Sequence, residues 1–336
     1  MIHFRIVTSA DRAERVLELL ETSESVCNVV YLEGAARVPE GDVILADVAR
    51  EDASVLLDDL KELGVHHDGS ISLEVIDTQI SEQAELAVER ARGAPADAVV
   101  WEEVEQRTSE NVELSGVYLA FMVLAGLLAT VGIYQDSPIL IVGAMVVGPE
   151  FGPIAGFCVA AVQRERRLAV RSGVALVVGF PLTIAVVYVA VQAFKLTGLF
   201  PETFSSAQHS LANIIADPDF FTFLVAACAG AAGMLSLSTA KSGALIGVLI
   251  SVTTIPAAAN IGLSAAYQDW SSCRGSVAQL AINLGSIILA GTAVLAVQRW
   301  LYERRRRRHM DDPERRAANL PFKRRTPATP RSRPSS

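Results

Sequence analysis

The stretch GPEFGP, residues 148–153, sets one carboxylate, Glu150, between two prolines, Pro149 and Pro153, with glycines at 148 and 152. The chain on both sides is apolar for longer than a soluble core requires. An acid in the middle of a membrane span costs about 2.5–3.5 kcal/mol for Asp on insertion scales, so such a group faces a cavity or a partner. A proline inside a helix leaves a backbone carbonyl without its donor. Lipid cannot satisfy that carbonyl, whereas protein or a water-filled cavity can. The segment therefore has the chemistry of a broken helix that offers unwound carbonyls and one carboxylate to a solute. Glu150 favours a cation or a proton there, while free N–H groups at a half-helix N-terminus favour an anion. Gly148, Gly152 and Gly156 also form a GxxxGxxxG ridge, which permits close helix packing without any solute.

A second such place lies further along. Shifting the chain by 103 positions lays GPIAGFCVAAVQRERRLAVRSG over TIPAAANIGLSAAYQDWSSCRGS, with Pro153 on Pro256, Ala155 on Ala258 and Arg171 on Arg274. Each copy holds three spans and places its proline in the middle of the second. Three spans per copy force opposite orientations, which gives an inverted repeat, a ground plan of secondary transporters. The paired breaks are then 148–153 and SVTTIP, 251–256. The candidate substrate- or ion-binding residues are Gly148, Pro149, Glu150, Gly152, Pro153, Thr253, Thr254, Pro256, Asn260 and Asn283. Polar side chains such as Thr253, Asn260, Gln279 and Asn283 also serve as plain interhelical hydrogen-bond partners.

The elements that position these residues follow from composition and period. The chain has 336 residues, 51% of them hydrophobic, and a formal net charge of -8. Residues 1–110 hold about 25 acids against about 9 bases, whereas about 13 bases lie at or beyond Arg299. An acidic soluble head, an apolar body and a basic tail are implied. Six apolar segments, near 114–133, 139–162, 168–193, 220–240, 244–266 and 277–298, are each long enough for a bilayer of about 30 Å. QRERR after the second segment, Lys241 after the fourth and ERRRRRH after the last set these parts and both termini on the cytoplasmic side of the cell membrane. The link 198–220 carries scattered apolar residues suited to an interfacial helix, and His209 in it is read as solvated.

The head alternates strand-like and helix-like periods: IHFRIV, SADRAERVLELLE, VCNVVYLE, GDVILADVA, REDASVLLDDLKELG and SISLEVID. The order βαββαβ is that of a ferredoxin-like domain over residues 1–80, with both helices on one face of a four-stranded antiparallel sheet. A helical linker follows over 81–112, with Trp101 placed either at the headgroups or packed against the head. The six-span body covers 113–300 and a basic, disordered tail 301–336, which lies on anionic lipid.

Several chemistries find no support. The 4 cysteines form no CxxC pair, so they read as small core residues. The adjacent His66 and His67 diverge in any extended segment and make no metal set. Neither a P-loop nor GxGxxG is present, and HExxH and GxSxG are absent too. No cofactor, enzyme activity or nucleic-acid partner is expected, and no cleaved signal peptide. Small residues on the spans and the added head favour a homo-oligomer.

SPILIVGAMVVGPEFGPIAG, GVLISVTTIPAAANIG, AINLGSIILAG and AVVWEEVEQRT together resemble the prokaryotic membrane family known as domain of unknown function 389, over about residues 98–298. The resemblance implies the membrane architecture and names no activity. This chain departs from the family pattern in carrying Glu150 where an aliphatic residue is usual, and Ile255-Pro256 where two prolines are. The best reading is a secondary transporter or channel for a small solute or ion with a regulatory or assembly head. The alternative is a non-transporting sensor or scaffold whose head binds a ligand or partner. A polar space between the two breaks favours the first, a solid apolar core the second.

Overall fold

Alternation in the first residues becomes a strand because one face must be buried. In β1 (Ile2–Thr8), Ile2, Phe4 and Ile6 are all buried, while Arg5 on the other face is exposed. The computed structural model describes residues 1–76, 78–91, 99, 101, 104, 106, 108, 112–204, 209–238 and 253–310, with only the backbone of 305 and 307–310. It divides into two compact units, Met1–Ala98 with Tyr302–Ser336, and Val99–Leu301.

The first unit runs β1, α1 (Ala10–Glu21), β2 (Val26–Arg37), β3 (Glu40–Val48), α2 (Arg50–Glu62), α3 (Val65–Asp68), β4 (Ser70–Val75) and α4 (Glu82–Arg90). The strands form one antiparallel sheet in the order β2-β3-β1-β4. Its buried face carries Phe4, Ile6, Ile44 and Ala46, and α1 and α2 contribute Val16, Leu20, Leu56 and Leu60 to the buried apolar set. On the opposite face the buried Asp47 accepts from His3 Nδ1 at 2.7 Å, Asn28 Nδ2 at 2.8 Å and Gln79 Nε2 at 2.9 Å. Ala84 and Ala87 of α4 pack beside it on Cys27.

Two details of this unit differ from the sequence reading. His66 and His67 lie on the short helix α3 with ring centroids 4.0 Å apart, where an extended segment or turn was expected. The last helix continues to Met310, into the stretch read as a disordered tail, and residues 311–336 lie outside the described residues. Its Tyr302 hydroxyl donates to Asp58 at 2.9 Å, and Arg306 pairs with Asp58 at 2.8 Å and Glu62 at 3.2 Å. Two acids one turn apart on α2 thus hold one guanidinium, which explains the order of these two residues.

The second unit contains α5 (Gly116–Tyr134), α6 (Pro138–Val147), α7 (Phe151–Gln163), α8 (Arg166–Leu196), α9 (Ser210–Ala216), α10 (Phe220–Ser238), α11 (Thr254–Ala266) and α12 (Trp270–Met310) up to Leu301. Among the described residues, 4 helices (α5, α8, α10 and α12) are long and apolar enough to cross a membrane, or 5 spans if the bent pair α6–α7 counts as one. The chain is a multi-pass membrane protein by this measure. The expected fifth span, 244–266, is described only from Thr253, and α11, with 13 residues, is by itself too short to cross about 30 Å. The basic turn at Lys241 also lies outside the described residues. α8 runs unbroken through Pro181.

Helix ends follow the 103-residue shift. It carries Phe151–Gln163 onto Thr254–Ala266 at both ends, and it places Gly116–Tyr134 one residue from Phe220–Ser238. Small residues let these helices touch backbone to backbone. A Cβ on Gly230 of α10 would stand 2.5 Å from the carbonyl oxygen of Ile287 in α12, and one on Gly262 of α11 2.8 Å from that of Ile184 in α8. Gly285, on the exposed side of α12, has nothing within 4 Å. Trp101 is 3% exposed with the Arg299 guanidinium 5.4 Å from its ring centroid, so it packs inside the unit and is no headgroup anchor. Gly230→Ala is expected to cost about 1–3 kcal/mol through overpacking. Gly285→Ala should leave the thermal midpoint in detergent unchanged or slightly higher, and equal midpoints for the two variants would refute this packing.

Candidate functional site: a carboxylate in a helix break

α6 and α7 meet at an angle of 52°. Pro149 makes this break. It disfavours helical backbone at the residue before it, and Gly148 accordingly sits extended at φ -64°, ψ 126°. The chain recovers at once, with Gly152 N–H donating to Pro149 O at 3.3 Å and Ile154 N–H to Glu150 O at 3.2 Å. Pro153 and Pro256 play another part than the one read from sequence. Each is the third residue of its helix, α7 or α11, where the N–H has no intrahelical acceptor and proline is tolerated. Each thus lies in the first turn of its helix, and residues 239–252 ahead of α11 lie outside the described residues. Thr253 precedes α11 in a non-helical conformation, and Ser251 and Val252 lie outside the described residues.

Glu150 stands at the start of α7 and is 2% exposed. Thr254, the first residue of α11, donates its Oγ1 hydrogen to Glu150 Oε1 at 2.8 Å. The other oxygen, Oε2, has no hydrogen-bond partner among the described residues. A Cβ on Gly148 would lie 2.3 Å from that oxygen and 2.8 Å from Ile255 Cγ1, so the carboxylate folds back over Gly148 and a side chain there would displace it. An ionised carboxylate with one unmet oxygen in an apolar interior is a costly arrangement, which protein sequences retain where the group is used.

Glu150, from the first predicted break, and Thr254, from the second, are thus in hydrogen-bond contact, while residues 239–252 ahead of Thr253 lie outside the described residues. Thr253 joins the last helix, its Oγ1 accepting from Asn283 Nδ2 at 2.7 Å. Asn260 does not join Glu150. It lies nearly two turns along α11, fully buried, and donates to Ser276 Oγ at 2.8 Å. Ser264 and Ser272, 3.2 Å apart, form a further pair that sequence reading missed. These pairs put α11 and α12 in one antiparallel register, with Ser264 against Ser272, Asn260 against Ser276 and Thr253 against Asn283. Gly152 and Pro149 are half-buried at the bend.

Described residues of the link between α8 and α10 pack at one end of the unit. Asp136, in the turn between α5 and α6, accepts from Leu211 N–H at 2.9 Å and Ser210 Oγ at 2.7 Å. Those two donors, the backbone one first, hold its carboxyl below the usual range. His209, expected to be solvated, is half-buried and stacks on Phe204 with ring centroids 4.3 Å apart. Lys195 lies 4.5 Å from the Tyr267 ring centroid and reaches Ala266 O at 3.4 Å, a cation at the C-terminal end of α11.

Residues 145–289 match the family model described as domain of unknown function 389. Over these residues the chain is similar to that family. The matched range contains every residue from Gly148 to Asn283 discussed above, so the break, its carboxylate and the α11–α12 pairs all lie within it. An uncharacterized protein of the archaeon Methanocaldococcus jannaschii is 25% identical over 210 residues, which cover 61% of this chain and 62% of that protein. The chain thus spans under two thirds of the length of this relative. No solved structure matches.

Proposed function

We propose that the membrane body is a secondary transporter or channel for a small solute or ion, and that Glu150 lines its site. The observation that carries this reading is the buried Glu150 carboxylate, bonded through one oxygen to Thr254 and unmet at the other. A scaffold needs no charge in its core, and an apolar residue would fill the same place at lower cost. The body is read as two inverted three-span repeats, six spans in all. The coincident ends of α7 and α11 under a shift of 103 support it, as do Pro153 and Pro256 at the same step of each. Discontinuous helices that meet at the repeat interface are where such folds bind solute.

The head is proposed to be a ferredoxin-like regulatory or assembly domain in a homo-oligomer, supported by its βαββαβ order and the strand order β2-β3-β1-β4. No enzymatic role, cofactor or nucleic-acid partner is proposed. Lipid and the solute are the partners, and the site is the cell membrane with both termini cytoplasmic, after the basic QRERR and ERRRRRH runs.

Orientation is checked in a cysteine-free chain carrying Ser205→Cys or Arg166→Cys. An impermeant thiol reagent outside the cell should label position 205 and spare 166, and the reverse pattern would invert the topology. Function is checked in liposomes with a trapped pH indicator and a panel of small solutes and ions. Wild-type protein should carry flux, and Glu150→Gln, which keeps shape and loses charge, should lower it or shift its pH dependence. Unchanged flux and pH profile in folded Glu150→Gln would remove Glu150 from the site, and no flux from wild type with any solute would favour the scaffold.

A further inference from the structure

α12 carries a buried polar stripe. Ser272, Ser276, Gln279, Asn283 and Ser286 recur at alternating steps of four and three residues, the spacing of one helical face, and none is more than 6% exposed. Val277 and Leu289, on the other side of the same helix, are 50% and 68% exposed. Hydrogen bonding between helices accounts for part of the stripe. Ser272, Ser276 and Asn283 meet Ser264, Asn260 and Thr253 of α11, and Ser286 donates to Ile282 O at 2.6 Å on its own helix. Gln279 is left over. The register of the three pairs sets it level with Ala257, which has no polar side chain to offer.

The unmet atoms along this line share one chemistry. Asn260 Oδ1, Gln279 Oε1 and Glu150 Oε2 are each buried without a partner among the described residues. With Glu150 ionised, all three are acceptors. What they lack is a donor or a positive charge, and an anion would satisfy none of them. Buried acceptors left unmet in a native structure call for a reason. Their order along α11 and α12 runs from the end covered by the 197–219 link toward the helix break. Asn260 also approaches Ala212 O of that link at 3.5 Å. Further unmet oxygens, on Ser172, Thr292 and Gln298, lie away from this line toward the opposite end of α8 and α12.

We propose that this stripe is the access path by which a small hydrated cation, hydronium or a monovalent metal ion, reaches Glu150 from the link side. The inference rests on the transport reading of the same site and adds to it the sign of the permeant and the route. Neutral oxygens along the way replace part of the ion's hydration, and the carboxylate at the end supplies the charge that selects it. Water within the path fills the acceptors when no ion passes.

The test needs no flux and no known substrate, so its failure is separable from failure of the transport reading. In full-length chain freed of its native cysteines and reconstituted in liposomes, Gln279→Cys and Ser276→Cys are exposed to two methanethiosulfonates, one with a trimethylammonium and one with a sulfonate group. These reagents attack thiolate, which forms where water reaches. Both positions should react, and Leu289→Cys in lipid should not. The cationic reagent should be favoured about tenfold, relative to the same pair on an exposed Leu199→Cys, because a lined cleft concentrates the opposite charge. That preference should collapse when Glu150→Gln is added. Reaction at 276 and 279 no faster than at 289 would overturn the path, and equal rates with both reagents would overturn the cation. Having two path positions keeps the outcome decisive if one variant fails to fold.

Discussion

A carboxylate that is 2% exposed in an apolar helical body is the constraint around which the rest of this domain is arranged. Removing such a charge from water costs several kcal/mol after all relaxation, and only partners at hydrogen-bond distance return part of it. The partner here comes from about a hundred residues away, Thr254 at the first position of α11. For the two to meet, α6 must stop and the chain must turn. Pro149 and Gly148 do that, and Gly148 must also stay without a side chain so that the carboxylate can fold back over it. Pro153 and Pro256 then open the two following helices at a step where a missing N–H loses nothing.

The same demand for close approach runs through the neighbouring contacts. Gly230 against the backbone of Ile287, Gly262 against Ile184 and Gly126 against Thr183 bring helices near enough for short side chains to bond across. Without water or a hydrophobic drive between spans, packing and such bonds are what hold helices together in lipid. Serines and asparagines form the pairs between α11 and α12, a polar seam in the interior of the domain.

Much of this was legible in the residues, and the limits have physical causes. The four strands of the head and α1 and α2 follow from periods of two and of about 3.6, which report burial on one face. The 103-residue shift that pairs Pro153 with Pro256 also relates the ends of α7 and α11, and GPEFGP announced a break. Sequence did not separate the parts of Pro149 and Pro153, because proline acts differently at a first turn and at an interior position, and composition does not reveal the turn. Asn260 was grouped with Glu150 by residue type, but nearly two turns of α11 separate them. The pairs with Ser272 and Ser276 depend on the register of two antiparallel helices, although the four-three spacing of polar residues on α12 was visible all along. Trp101 and His209 were judged by their polar edges, whereas their neighbours, Arg299 and Phe204, settle where they sit.

The claim that the break is held by one bond between the two halves can be measured without any substrate. A double-mutant cycle on thermal unfolding in detergent compares Glu150→Leu, Thr254→Val and the two together. Partners in contact within a buried network couple by about 0.5–3 kcal/mol, and the account predicts a value in the upper half of that range, with Thr254→Val costly only while Glu150 is present. Strictly additive effects would contradict it, because they would mean that the carboxylate and the threonine do not sense each other across the break.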